Sequence, residues 1–297
     1  MKISKLVLWV AVISFLYAAC NHKNHDTSGT VSPLTTLTSN ASGEVAEAVR
    51  LAPEIGAIKL PGGYKRVEAA QGSFGEYLRG LQIKQEDHIV NLYDGRKKAN
   101  QGAHYCILDI DVGNRDLQQC ADAVMRLRAE YLYQMKAYEN ISFNFTNGEP
   151  VPFKKYAEGY RVKVNGNNLF WKKSTGADYS YPNFRKYLDL IFAYAGSYSL
   201  AKELDKVTDV NEIQIGDVII QGGFPGHAVL VMDIAEHTDT GEKIFLLAQS
   251  YMPAQEIHVL VNPNQVGISP WYSMGYSNRI YTPEWTFDKT DLKRWRD

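Results

Sequence analysis

Apolar positions along the chain change their period several times, and each change marks an element. Residues 218–233 carry two short continuous apolar runs, joined by Gly222-Gly223-Phe224-Pro225-Gly226. That is the pattern of a hairpin with buried strands, and His227 opens its second strand. Residues 88–93, 103–112, 243–250 and 256–261 read as further strands. Helical spacing appears where Leu117, Ala121, Val124, Tyr131, Leu132 and Met135 recur, which predicts an amphipathic helix over 116–139. Asp116 would cap it with Gln119 at the third helical position, placing Cys120 in the first turn. Phe74, Tyr77, Leu78 and Leu81 predict a short helix over 74–81. Another runs from Pro182 through Phe184, Tyr187, Leu188, Ile191 and Phe192 to a stop near Gly196, and a third follows over 199–204. Residues 44–51 are weakly helical, Pro61-Gly62-Gly63 is a turn, and Asn165-Gly166 is a hairpin turn between 160–164 and 169–171.

The first twenty residues follow a different rule. Lys2 and Lys5 precede an apolar run over 6–16, and Ala18-Ala19-Cys20 ends it with small residues before a cysteine. This resembles a bacterial lipoprotein signal, in which Cys20 is lipidated and begins the mature chain; an ordinary secretory signal or a membrane anchor is the alternative. The run is short for a membrane span. Residues 21–43, rich in Asn, Thr and Ser, read as a solvated tether, and 44–297 as a single globular domain. The expected location is the bacterial cell envelope, with the protein held to a membrane by its N-terminal lipid.

Composition narrows the function classes without choosing among them. The 297 residues are 45% apolar and 22% charged, with a formal net charge of -1, so no basic face for nucleic acid is implied. No His, Cys and Asp spacing suggests zinc, and no cofactor is expected. Asp109 and Asp111 share a strand face, but carboxylates at a strand end are more often solvated or capping than metal ligands. Past Cys20 the cysteines are Cys106 and Cys120. Their separation permits a disulfide in an exported protein; otherwise Cys106, in an apolar strand, is a small core residue.

Cys120 at a helix start would sit among unpaired amides at the positive end of the helix dipole, an environment that lowers a thiol pKa. Its proximity to the apolar stripe supports a plain packing role as well. A cysteine at a helix N-terminus with a histidine opening a later strand is the pair papain-like hydrolases use: the imidazole takes the thiol proton, the thiolate attacks a carbonyl, and the imidazolium protonates the leaving amine. The next strand ends in Gln249-Ser250, so Gln249 is the candidate that orients the ring, with Ser250 as alternate. Gln118 or Gln119, with the Cys120 amide, would form the oxyanion hole, although Gln119 is also wanted by the cap. Asp122 suits the helix start as a dipole-favouring acid. His258 alternates with apolar neighbours as an exposed strand residue would, and His88, His104 and His237 have no partner pattern.

The order Gln118-Gln119-Cys120, Gly216-Asp217-Val218 and Gly226-His227-Ala228 resembles CHAP-type and other papain-like cell-wall amidases and peptidases. More closely, residues 120–131 and 246–255 resemble an uncharacterised bacterial lipoprotein family, a domain of unknown function of the DUF4846 type, over most of the mature chain. The resemblance implies an α+β fold of papain-like arrangement: a helix carrying Cys120 packed on an antiparallel sheet, with the aromatic-rich helical and hairpin stretch 141–197 as an insertion. It also implies Cys120 as nucleophile, His227 as base and Gln249 as orienter, acting on an amide, most naturally in peptidoglycan peptides. The 19 Tyr and 5 Trp support a second reading, a non-catalytic envelope lipoprotein that binds a glycan or peptide.

Overall fold

The hairpin around His227 forms the middle of a large antiparallel sheet. The computed structural model describes residues 52–296 apart from Asp87 and Tyr276, so the signal, the tether and the segment 44–51 lie outside the described residues. Nine strands make the main sheet among those residues: β1 (Tyr64–Arg66), β2 (His104–Ile107), β3 (Asp205–Lys206), β4 (Val218–Gln221), β5 (His227–His237), β6 (Lys243–Gln249), β7 (His258–Leu260), β8 (Tyr272–Ser273) and β9 (Leu292–Arg294). Their order is β2-β7-β6-β5-β4-β9-β3, with β1 also on β5 and β8 also on β6. The helices are α1 (Phe74–Arg79), α2 (Cys120–Gln134), α3 (Phe153–Ala157), α4 (Tyr181–Tyr194) and α5 (Ser197–Glu203). The protein is thus α+β, with helices and a large antiparallel sheet.

Strand β5 shows why its sequence is a continuous apolar run rather than an alternation. Ala228, Leu230 and Met232 belong to one core cluster together with Val124 and Leu127 of α2, while Val229, Val231 and Ile234 belong to a second with Ile219, Phe245, Leu247, Phe287 and Leu292. Both faces of the strand are covered, so every position from His227 to Ala235 is buried. Fully burying each large apolar side chain there contributes roughly 1.5–3 kcal/mol. Asp233, 0% exposed, accepts Arg66 Nε at 2.7 Å and Arg79 Nε at 2.6 Å, tying β1 and α1 to this central strand.

Several expected elements form elsewhere or in another register. Residues 88–93 make isolated bridges rather than a strand, because Glu256 and Gln101 side chains take the Asn91 and Val90 amides. The helix expected over 116–139 begins only at Cys120 and ends at Gln134. In the hairpin Tyr160–Asn165/Asn168–Lys173 the pair Asn165↔Asn168 leaves Gly166-Asn167 as the loop, with Gly166 at φ +60°. The aromatic-rich stretch packs largely on itself and the core: Tyr133 stacks on Phe184 at 4.4 Å and Phe153 meets Tyr187 at 5.2 Å. His258 is 0% exposed, correcting the exposed position expected for it, since β7 lies between β2 and β6. Cys106 is buried in β2, and both it and Cys120 are free thiols, so the disulfide alternative is not realised.

Candidate functional site

Helix α2 starts where its first amides find acceptors. The Asp122 carboxylate accepts the Gln119 N–H at 3.0 Å, closing the first turn from inside. Asp116, the expected cap, instead accepts Gln119 Nε2 at 3.1 Å and the Ala254 N–H at 2.7 Å, anchoring the segment after β6 to the helix entry. Cys120 is therefore the first helical residue, and its half-buried thiol lies against the amides of Ala121 and of Ala228, the residue after His227. Those amides pull its pKa down, but burial and then the Asp122 charge dominate and push it up to about 11. The lowering expected from a helix start is overridden because partial burial disfavours the thiolate more than these amides favour it.

The loop before His227 is held by close backbone approach. A Cβ on Gly226 would sit 2.7 Å from the Gln221 carbonyl, and Ser197 Oγ of α5 donates to Gly223 O at 3.3 Å. His227 Nε2 then meets Gln249 Oε1 at 2.8 Å, so the structure brings these two sequence candidates together. Tyr251, Trp285 and Phe287 surround the ring at 4.9, 5.3 and 5.7 Å. Burial lowers the His227 pKa to about 4, opposed by the Gln249 bond and assisted by the Lys98 charge.

The structure brings these groups to one end of the sheet without joining them all. His227 and Gln249 are hydrogen-bonded, and Cys120 reaches the same strand end through the Ala228 amide. Among the described residues no hydrogen bond links the thiol to the imidazole. Alternation along β5 puts Ala228 on the α2 face and His227 on the face of Val229 and Val231. Gln118 is buried, its Oε1 accepting from Arg126, while its Nε2 has no partner. Gln119's side chain is engaged by Asp116. Ser250, the alternate orienter, instead shares its single hydroxyl proton between the backbone carbonyls of Gln118 and Gln255 and accepts the Gln255 N–H.

Two residues at this site carried no sequence signal. Gln249 Nε2 donates to Glu284 Oε2 at 2.7 Å, and Lys98 Nζ lies 2.5 Å from Glu284 Oε1, with the two side chains 5% and 12% exposed. Both come from irregular segments, 186 positions apart. On the outer side, Phe224 is 85% and Met252 61% exposed, one in the loop entering His227 and one in the loop leaving Gln249.

A family model described as "Domain of unknown function (4846)" matches residues 56–294, which includes Cys120, His227, Gln249 and Glu284. The chain belongs to the DUF4846 family. No curated protein and no solved structure matches this DUF4846 chain. Among its described residues no helix is long and apolar enough to cross a membrane, and no group of three or more His, Cys, Asp or Glu side chains is placed to hold a metal ion.

Proposed function

We propose that this chain is a lipid-anchored cysteine hydrolase of the bacterial cell envelope, papain-like in arrangement, acting on amide bonds such as those of peptidoglycan peptides. The observation that carries it is the His227–Gln249 bond at 2.8 Å, placed at the strand end where the thiol of Cys120 opens α2. In this reading Cys120 Sγ gives its proton to His227 Nδ1 as it attacks the carbonyl carbon. The tetrahedral oxyanion takes hydrogen bonds from the Cys120 amide and the unpartnered Gln118 Nε2. The C–N bond breaks as the imidazolium protonates the amine, and water, deprotonated by the same ring, releases the acid from the thioester. The shifts at Cys120 and His227 both favour uncharged groups, so proton transfer accompanies attack. The anchor is the Cys20 lipid, and the envelope supplies the substrate.

A second reading, a non-catalytic lipoprotein binding a glycan or peptide, is favoured by one specific observation: the alternation of β5 turns His227 away from the α2 face. Incubating the full-length protein with peptidoglycan-derived peptides and following new amines by mass spectrometry separates the two. The hydrolase reading expects turnover that Cys120→Ala abolishes and His227→Ala lowers by about 10²-fold or more. Binding of the same peptides without turnover, equal in wild type and Cys120→Ala, supports the binder.

A further inference from the structure

The hydrogen bonds behind His227 run in one direction, and both ends are fixed by groups that can only accept. At one end the Glu256 carbonyl lies 2.9 Å from His258 Nδ1, so that nitrogen carries the proton and His258 Nε2 keeps its lone pair. That lone pair faces Gln249 Nε2 at 3.5 Å. At the other end Glu284 faces the same Gln249 nitrogen at 2.7 Å, while its second oxygen is held by Lys98. With two acceptors around it, that end of the amide is the NH2, and Oε1 therefore points at His227. An amide oxygen cannot donate, so His227 Nε2 must carry the ring proton, and Nδ1 is left with the lone pair.

We propose that Glu284 and Lys98 are positioning residues that hold His227 in the Nε2–H tautomer through Gln249, keeping Nδ1 free as the base. Glu284 does this by fixing which end of the amide faces the ring; His258 supports it through the longer contact. Lys98 holds Glu284 in register from its buried position and lies 5.3 Å from the Tyr251 ring that edges His227. The use of Nδ1 as a base rests on the hydrolase reading, whereas the tautomer lock does not.

The test is the 15N chemical-shift signature of the histidine ring nitrogens in the full-length chain, with His227 assigned by its loss in His227→Ala. Wild type is expected to show a single Nε2–H tautomer for His227. Glu284→Ala is expected to lose that single signature to a mixture, because only the 3.5 Å contact to His258 still orients the amide. Glu284→Asp, which keeps the acceptor, should restore much of it. An Nδ1–H tautomer in wild type, which needs no variant, would overturn the proposal. So would an unchanged His227 signature in a Glu284→Ala protein whose remaining spectrum is native. Alkylation of Cys120 in the same samples keeps the two claims apart: a locked tautomer with a thiol indifferent to His227 contradicts the hydrolase and leaves the lock standing.

Discussion

Burial sets the protonation of the histidines at this site, and it favours the uncharged ring. His258, fully buried, has its pKa lowered to about 3, first by burial and then by the charges of Lys98, His104 and His227, against the pull of its bond to the Glu256 carbonyl. The unfolded chain binds that proton near 6.5, so between 6.5 and 3 the unfolded state holds the extra proton and stability rises with pH. The contribution is complete above 6.5 and is lost as pH falls toward 3. Glu203, Asp122 and Asp217, whose carboxyls burial raises, act in the opposite sense, so a difference isolates the histidine. Going from pH 7 to pH 5, His258→Gln should gain about 2 kcal/mol relative to wild type in urea unfolding. A constant difference would place the His258 proton elsewhere. At this scale Cys120, His227 and Gln249 were legible because each ends or opens a periodic segment. Glu284 and Lys98 were not, since neither lies in a pattern and only the folded chain makes them neighbours.

At the scale of elements, legibility followed how many backbone groups an element satisfies by itself. The hairpin β4–β5, the strand β6 and the helices α1 and α4 form where their apolar patterns put them. Helix α2 also forms, but its start moves because Asp116 is drawn across the chain to the Ala254 amide and Asp122 takes over the Gln119 N–H. That competition between a local cap and a distant amide has no trace in the sequence. Residues 88–93 failed as a strand for a related reason: the Val90 and Asn91 amides are met by the side chains of Gln101 and Glu256, while those of Leu92 and Tyr93 bond the Arg96 and Ala254 carbonyls, so no continuous ladder forms. His258 was misplaced because the alternation of Glu256-Ile257-His258-Val259 looks the same whether a strand is exposed or sits inside a sheet.

Across the whole molecule, the N-terminal segment locks onto β5 at Ala235–His237, the strand end away from His227. Asp233, buried between Arg66 and Arg79, is the joint. Asp233→Ala removes the buried carboxylate from two part-buried guanidinium groups, each of which keeps one backbone carbonyl, and should cost about 3 kcal/mol in urea unfolding. A loss below about 1 kcal/mol would mean that β1 and α1 are held by apolar packing alone. The same frame carries Cys120 on α2 and His227 on β5 from two layers to one end, which no local pattern specifies. Whether these layers cooperate chemically is the central claim. The most direct measurement is the rate of Cys120 alkylation at pH 7 in the full-length protein and in His227→Ala, read by mass spectrometry with Cys106, buried and raised to about 12, as the slow internal control. The account predicts that the His227→Ala thiol reacts at least about tenfold more slowly than wild type, as loss of a positioned base requires. Equal rates in the two proteins would contradict it and leave Cys120 as a packed residue.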